Sequence, residues 1–128
     1  MILIDENIIS TECAKPKKWK SSVRQIGLDI GSKGMKDYEI LPFLLQLRKL
    51  TFLTRDRDYY NHRLCHHRYC LAWFDVSAVQ FSDYARLFLQ HRAFRTQQQR
   101  LGKIVHISIG GITYWSLKSR VKRSLSWE

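Results

Sequence analysis

Short apolar runs alternate along this chain with segments whose apolar residues recur at helical spacing. Residues 2–4, 26–30, 50–54 and 69–76 are predicted to be strands, because continuous apolar stretches of this length are typical of buried strands. Two more strands are predicted at residues 103–109 and 112–117, and the glycine pair between them predicts a tight hairpin.

Helices are predicted between these strands. Apolar residues between positions 40 and 50 recur every three or four residues, which predicts a helix that begins near Glu39 or bends at Pro42. The longest helix is predicted at residues 78–95, and another at about residues 16–24, with Pro16 in its first turn. Residues 96–102 are predicted to be a polar connection.

The alternation of strands and helices predicts an α/β fold with a mainly parallel central sheet flanked by helices. A length of 128 residues suits a single domain. We assign residues 1–117 to this domain and residues 118–128 to a basic C-terminal tail. No apolar run approaches the ~20 residues that a membrane span needs. Three cysteines and the absence of a basic leader segment predict a cytoplasmic protein with reduced thiols.

The formal net charge of +11 predicts a polyanionic partner, with nucleic acid as the first candidate and an acidic protein as the second. The basic residues concentrate in stretches at 15–24, 55–68 and 118–123. The side chains expected to contact nucleic acid are Lys17, Lys18, Lys20, Arg55, Arg57, Arg63 and Arg68.

Six of the eleven acidic residues lie in three short clusters. Two clusters directly follow predicted strands, and the third lies near the start of a predicted helix. Because parallel strands end at one edge of a sheet, the carboxylates are expected to converge there. Converging carboxylates repel each other, and Mg²⁺ or Mn²⁺ would relieve that repulsion. The clusters are Asp5 with Glu6, Asp37 with Glu39, and Asp56 with Asp58. The candidate metal ligands among them are Asp5, Asp37, Glu39, Asp56 and Asp58.

Other interpretations of these residues remain open. Asp37 could cap a helix, residues 5–7 could form a turn, and Asp56 and Asp58 could pair with arginines at positions 55, 57 or 63. The histidines and cysteines between residues 62 and 70 include zinc-type ligands, although their spacing lacks a second matched pair.

Three stretches of the chain resemble the compact PIN-like branch of the VapC-type toxin superfamily. They are residues 2–7 (Ile-Leu-Ile-Asp-Glu-Asn), residues 36–41 (Lys-Asp-Tyr-Glu-Ile-Leu) and residues 52–59 (Phe-Leu-Thr-Arg-Asp-Arg-Asp-Tyr). The resemblance covers about residues 1–117, and the Thr-Arg-Asp-Arg-Asp-Tyr motif is its most specific part.

This resemblance implies a metal-dependent endoribonuclease that uses Mg²⁺ or Mn²⁺, with RNA as its substrate. It also implies a toxin held in check by a cognate antitoxin, and it admits a homo-oligomer. Asp5 would be the acid after the first strand, Asp37 the acid on the helix with Glu39 as its rival, and Asp56 and Asp58 the acids of the motif. Two alternatives remain, namely a PIN-like module that binds RNA or a protein without cutting and a nuclease directed at DNA.

Overall fold

A central sheet organises the residues described by the computed structural model, which are 1–19 and 22–127. Its seven strands are β1 (Ile2–Ile4), β2 (Val23–Gln25), β3 (Leu50–Thr54), β4 (Tyr69–Asp75), β5 (Lys103–Ser108), β6 (Gly111–Ser116) and β7 (Arg123–Leu125). The helices are α1 (Ser10–Trp19), α2 (Asp37–Gln46), α3 (Phe81–Gln90) and α4 (Gln97–Arg100). Short 3₁₀ segments lie at Arg57–Tyr59, His62–Leu64 and Ala78–Gln80.

The strands are arranged in the order β2-β1-β3-β4-β5-β6-β7. The first five of these strands run parallel to one another, whereas β6 pairs antiparallel with both β5 and β7. The predicted α/β class and the mainly parallel sheet are therefore confirmed. Within the described part of the chain, no helix is long and apolar enough to cross a membrane.

Both faces of the sheet are covered, which explains why β1 and β3 consist of buried residues throughout. On one face, Cys13 of α1 and Phe81 and Phe88 of α3 pack with Ile4 and other strand residues. On the other face, residues of α2 and of the segment after β3 pack on Phe52 and Leu71. The two layers place the strand ends, and the loops that follow them, at one accessible edge.

The first helix lies earlier than predicted. It begins at Ser10 and ends at Trp19, and part of the predicted helix is strand β2. The error arises because its buried face consists of Glu12, Cys13 and Pro16 and has no apolar periodicity. Pro16 lies in the helix interior, where it removes one intrahelical hydrogen bond.

The predicted strand at residues 26–30 is wrong. Only an isolated bridge links Ile26 to Ile30, and the chain turns between them. Gly27 has a φ of +83°, and a Cβ atom there would lie 2.6 Å from the Glu6 carboxylate. The position therefore requires glycine, and glycine at a positive φ ends the extended run.

The later helices also differ in their limits. α2 begins at Asp37, contains Pro42 and ends at Gln46, so Leu50 belongs to β3. The predicted helix at residues 78–95 is a 3₁₀ turn followed by α3, which ends at Gln90. The predicted connection at residues 96–102 contains α4, because the Thr96 side chain accepts a hydrogen bond from the backbone of Gln99. Strand β7 lies within the segment assigned to the basic tail.

Buried Glu12 joins α1 to α3. Its Oε1 atom accepts hydrogen bonds from the backbone N–H of Ser82 at 3.0 Å and from the Ser82 hydroxyl at 2.9 Å. Lys15 pairs with the other carboxylate oxygen at 3.2 Å. Burial acts to raise the pKa of Glu12, but the hydrogen bonds from Ser82 and the contact with Lys15 outweigh it and leave that pKa below its ordinary value.

Replacing Glu12 with Ala should lower the free energy of unfolding by about 2–3 kcal/mol, because it removes a charged acceptor and leaves Ser82 without its partner. Lys15→Ala should cost about 0.5 kcal/mol or less, since Lys15 is an exposed partner. Urea unfolding of both variants measures these changes. A loss under about 0.5 kcal/mol for Glu12→Ala would show that the two helices are joined by apolar packing alone.

Candidate metal centre

The carboxyl ends of β1 and β3 lie side by side, and a buried hydroxyl links the residues that follow them. Asp5, the first residue after β1, is 5% exposed. The Thr54 hydroxyl donates to Asp5 Oδ2 at 2.7 Å and accepts from the backbone N–H of Asp56 at 2.9 Å. Thr54 therefore fixes the chain after β3 against the end of β1.

The turn after β3 carries two further acids and meets a fourth from α2. The Asp56 carboxylate accepts from the backbone N–H of Asp58 at 2.9 Å and so begins the 3₁₀ segment. The Tyr59 hydroxyl donates to Asp37 Oδ1 at 3.1 Å. Carboxylate oxygens of Asp37, Asp56 and Asp58 lie within 4.8 Å of one another. The structure thus brings together acids that are far apart in the sequence.

The other two acids of the three sequence clusters, Glu6 and Glu39, have local partners. The Glu6 carboxylate accepts from the backbone N–H of Gly34 at 2.8 Å and 2.9 Å, which holds the loop before α2. Glu39 Oε1 accepts from the backbone N–H of Lys36 at 3.0 Å, at the start of α2. Of the two rival acids on that helix, Asp37 is the one that the structure places against Asp56.

We call the group formed by Asp5, Asp37, Asp56 and Asp58 the acidic edge. Within residues 1–19 and 22–127, no cationic side chain forms an ion pair with it. The ion pairs found there join Lys15 to Glu12, Lys17 to Asp29 and His106 to Asp75. The alternative pairing of Asp56 and Asp58 with nearby arginines is therefore absent from the described residues. Arg55 donates instead to the carbonyl of Val76, and Arg57 lies over the ring of Trp73.

Burial and neighbouring carboxylates alter the proton affinity of the edge. Burial raises the pKa of Asp5, the hydrogen bond from Thr54 acts in the opposite direction, and the charges of Asp56 and Asp37 raise it further. Burial, together with the charge of Asp37, also raises the pKa of Tyr59, so this phenol remains a hydrogen-bond donor. A cation near Asp5 would favour its charged form.

The donor set suits a hard divalent cation, because all of its ligand atoms are carboxylate oxygens. Two oxygens on opposite sides of one Mg²⁺ ion lie about 4.2 Å apart. The carboxylate oxygens of Asp37, Asp56 and Asp58 are up to 4.8 Å apart. A small rotation of an exposed side chain such as Asp58 would therefore bring them to the spacing that one ion requires. A pocket of about 200 Å³ between Asp5, Asp37 and Asp56 has room for the waters that Mg²⁺ retains.

The predicted nucleic-acid residues differ in their contacts and exposure. Lys17 pairs with Asp29 at 2.6 Å, and Arg68 donates to the carbonyl of Leu45. Lys18 and Arg63 are exposed, whereas Lys20 lies outside the described residues. The histidines and cysteines of residues 62–70 form no group of three close metal ligands within the described residues.

The hydrogen-bonding roles of Thr54 and Tyr59 were not predicted from the sequence. Both residues belong to the Thr-Arg-Asp-Arg-Asp-Tyr motif, but no contact was expected of either. Gln25 of β2 holds the segment after β1, because its amide donates to the carbonyls of Asp5, Glu6 and Ile8 at 3.1–3.4 Å. The one available signal was that Tyr59 lies three residues after Asp56, within a turn of the chain.

Replacing Asp5 with Asn should stabilise the metal-free protein increasingly as the pH rises. The raised pKa means that the folded protein keeps this proton to a higher pH than the unfolded chain does, so Asp5 costs stability above the ordinary value of 3.8. In EDTA, the unfolding free energy of Asp5→Asn relative to the parent should increase between about pH 4 and pH 7. Urea titrations measure it, and a difference that falls with rising pH would show that Asp5 is a stabilising anion.

Comparison of this chain with protein-family models, with curated proteins and with solved structures finds no match. The fold and the positions of the acidic residues are therefore observations made on this chain alone. A function for the acidic edge has to be argued from its geometry, its charge and the motif resemblance described above.

Proposed function

We propose that this protein is an endoribonuclease of the PIN-like type that depends on Mg²⁺ or Mn²⁺. The observation that carries the proposal is the acidic edge itself. Oxygens of Asp37, Asp56 and Asp58 lie within 4.8 Å of one another, beside buried Asp5, and have no cationic partner among the described residues. Such a site on a protein of net charge +11 suits a cation at the centre and a polyanion around it.

Each residue of the edge has a distinct part in this proposal. Asp37, Asp56 and Asp58 would hold the cation. Asp5, which Thr54 holds in place, would orient a water molecule or a ligand beside the cation. When bound, the cation would polarise a phosphoryl oxygen and lower the pKa of an attacking water. Exposed basic side chains would bind the RNA backbone and bring it to the edge.

A protein partner, the antitoxin of a toxin–antitoxin pair, is part of the proposal. Exposed apolar side chains lie at the same end of the sheet as the acidic edge, each in a segment that follows a parallel strand or begins α2. Leu28 is 72% exposed, Tyr38 78% and Val79 69%, and Ile9 and Ile109 are also exposed. Exposed apolar groups around a functional site are typical of an interface, so an antitoxin segment could cover the acids there.

A binding module without catalysis is the second candidate. It is favoured by the hydrogen bonds that the acids already receive, from Thr54 to Asp5, from Tyr59 to Asp37 and within the turn to Asp56. These neutral donors stabilise the edge without a cation. In that case the basic surface would bind RNA or a protein, and the acids would have a structural role.

Asp56→Asn and Asp58→Asn should each reduce Mn²⁺-dependent cleavage of single-stranded RNA by about 100-fold or more, because the metal's contribution to transition-state stabilisation is several kcal/mol. The parent should also gain about 2.7 kcal/mol of stability at a Mn²⁺ concentration 100 times its Kd. Both variants should lose this gain. Thermal melts with and without Mn²⁺, and cleavage assays on the same samples, measure the two effects.

Asp83→Asn is the matched control, since Asp83 is an exposed acid in the first turn of α3. It should keep both the cleavage and the stabilisation by Mn²⁺. Stabilisation without cleavage in the parent would favour the binding module. Full activity in both test variants would falsify the assignment of these acids, and faster cleavage of DNA than of RNA would redirect the proposal to a DNA nuclease.

A further inference from the structure

Three aromatic rings and a guanidinium group lie together beside the acidic edge and have no part in the proposed metal centre. The rings of Trp73 and His106 are stacked, with centroids 4.1 Å apart and planes inclined by 12°. The Tyr60 ring lies 5.6 Å from Trp73 and 5.3 Å from His106. The Arg57 guanidinium lies 5.9 Å from the centre of a Trp73 ring. We call these four residues the aromatic ledge.

The ledge continues the row of side chains that begins at the acidic edge. Thr54 pairs with Trp73, Trp73 with His106, and His106 with Thr113 across four neighbouring strands. Paired residues on adjacent strands point to the same face of a sheet. Asp5 begins the row, since it accepts the hydrogen bond of Thr54. With strands about 4.8 Å apart, Trp73 lies about 10 Å across the sheet from Asp5.

The orientation of the His106 ring is fixed by polar contacts on both sides. Its Nε2 atom lies 3.0 Å from Asp75 Oδ2, and its Nδ1 atom lies 3.5 Å from the Thr113 hydroxyl. The Tyr60 hydroxyl lies 3.3 Å from the same Thr113 oxygen. The His106 side chain is nevertheless 25% exposed, and Trp73 and Tyr60 are half-buried. The ledge is therefore an ordered aromatic surface that solvent still reaches.

A pocket of about 250 Å³ lies next to the ledge, on the side of His106 away from Trp73. It is lined by His106, Thr113 and Ser124 from three successive strands and by the turn at residues 108–111. Pockets for drug-sized ligands are ~300–1,000 Å³, so this one suits a single flat ring. Hydroxyl groups and backbone atoms in its lining offer hydrogen-bond partners to the edge of such a ring.

The charge around the ledge suits a phosphate backbone. Arg55, Arg57 and Arg63 are exposed in the segment that borders it. None of the three forms an ion pair with a carboxylate among the described residues. Asp75, the carboxylate next to the ledge, lies 3.0 Å from Nε2 of His106. Aromatic rings flanked by arginines are the combination that binds single-stranded nucleic acid with little dependence on sequence.

We infer that the aromatic ledge is a stacking platform for unpaired bases of single-stranded RNA whose backbone crosses the acidic edge. Unpaired bases expose their π-faces to flat side chains, whereas a duplex keeps its bases stacked on one another. The choice of RNA rests on the proposed function. The stacking surface itself depends only on the contacts of the four ledge residues.

Binding of a labelled oligoadenylate, measured by fluorescence anisotropy in EDTA, tests this inference without cleavage. Trp73→Ala and His106→Ala should each weaken binding about 10-fold, the size expected for the loss of one stacked base. Trp73→Phe keeps a ring and should stay within about threefold of the parent. Trp19→Ala is the matched control, because Trp19 lies at the end of α1, packs in the other layer and should leave binding unchanged.

A second pair of variants keeps the test decisive if Trp73→Ala fails to fold. Arg57→Ala removes one positive charge from the ledge, and Arg120→Ala removes one exposed positive charge outside it. Arg57→Ala should weaken binding more than Arg120→Ala does. Equal losses in this pair, equal losses in Trp73→Ala and Trp19→Ala, or equal affinity for single-stranded and duplex RNA would each overturn the inference. Because no metal is present, an inactive metal centre would leave these binding results unchanged, so the two proposals fail separately.

Discussion

The hydroxyl group of Thr54 holds the acidic edge together. It donates to Asp5 and accepts from the backbone of Asp56, so one buried oxygen joins the end of β1 to the turn after β3. That turn carries Asp58 and also Tyr59, whose hydroxyl donates to Asp37. The geometry of all four acids therefore depends on the parallel pairing of two short, buried strands and on the side chain at the end of one of them.

The distribution of charge gives this edge its chemical character. The chain has 22 lysines and arginines against 11 acids, yet the acids at the edge receive neutral donors. Arg55 and Arg57 lie close in sequence but contact the Val76 carbonyl and the Trp73 ring. A neutral donor leaves the carboxylate charge available to a cation, whereas an ion pair would have compensated it. The proposed cation-binding surface and the proposed RNA-binding surface can thus be neighbours without neutralising each other.

The positions of Asp5 and Asp56 could be predicted from the sequence, because each closely follows an apolar strand and parallel neighbours end at one edge. The choice of Asp37 over Glu39 could not be predicted, because it depends on the hydrogen bond that the Tyr59 hydroxyl donates to Asp37. The limits of α1 were not predicted because its buried face includes the charged residue Glu12. The hydrogen bonds from Ser82 make this burial possible, and Ser82 lies 70 residues further along the chain, where no local periodicity reveals it. The ledge was missed for a similar reason, as Trp73 and His106 meet only through strand register.

We propose that Asp37, Asp56 and Asp58 together hold one divalent cation. Mn²⁺ is paramagnetic and broadens the NMR signals of nearby nuclei, so a titration with substoichiometric Mn²⁺ tests the claim directly. We expect the backbone amide signals of these three residues to disappear first, while those of α3 remain sharp. Signals lost first in the histidine-containing segment His62–Leu64, or lost evenly over the surface, would contradict the account.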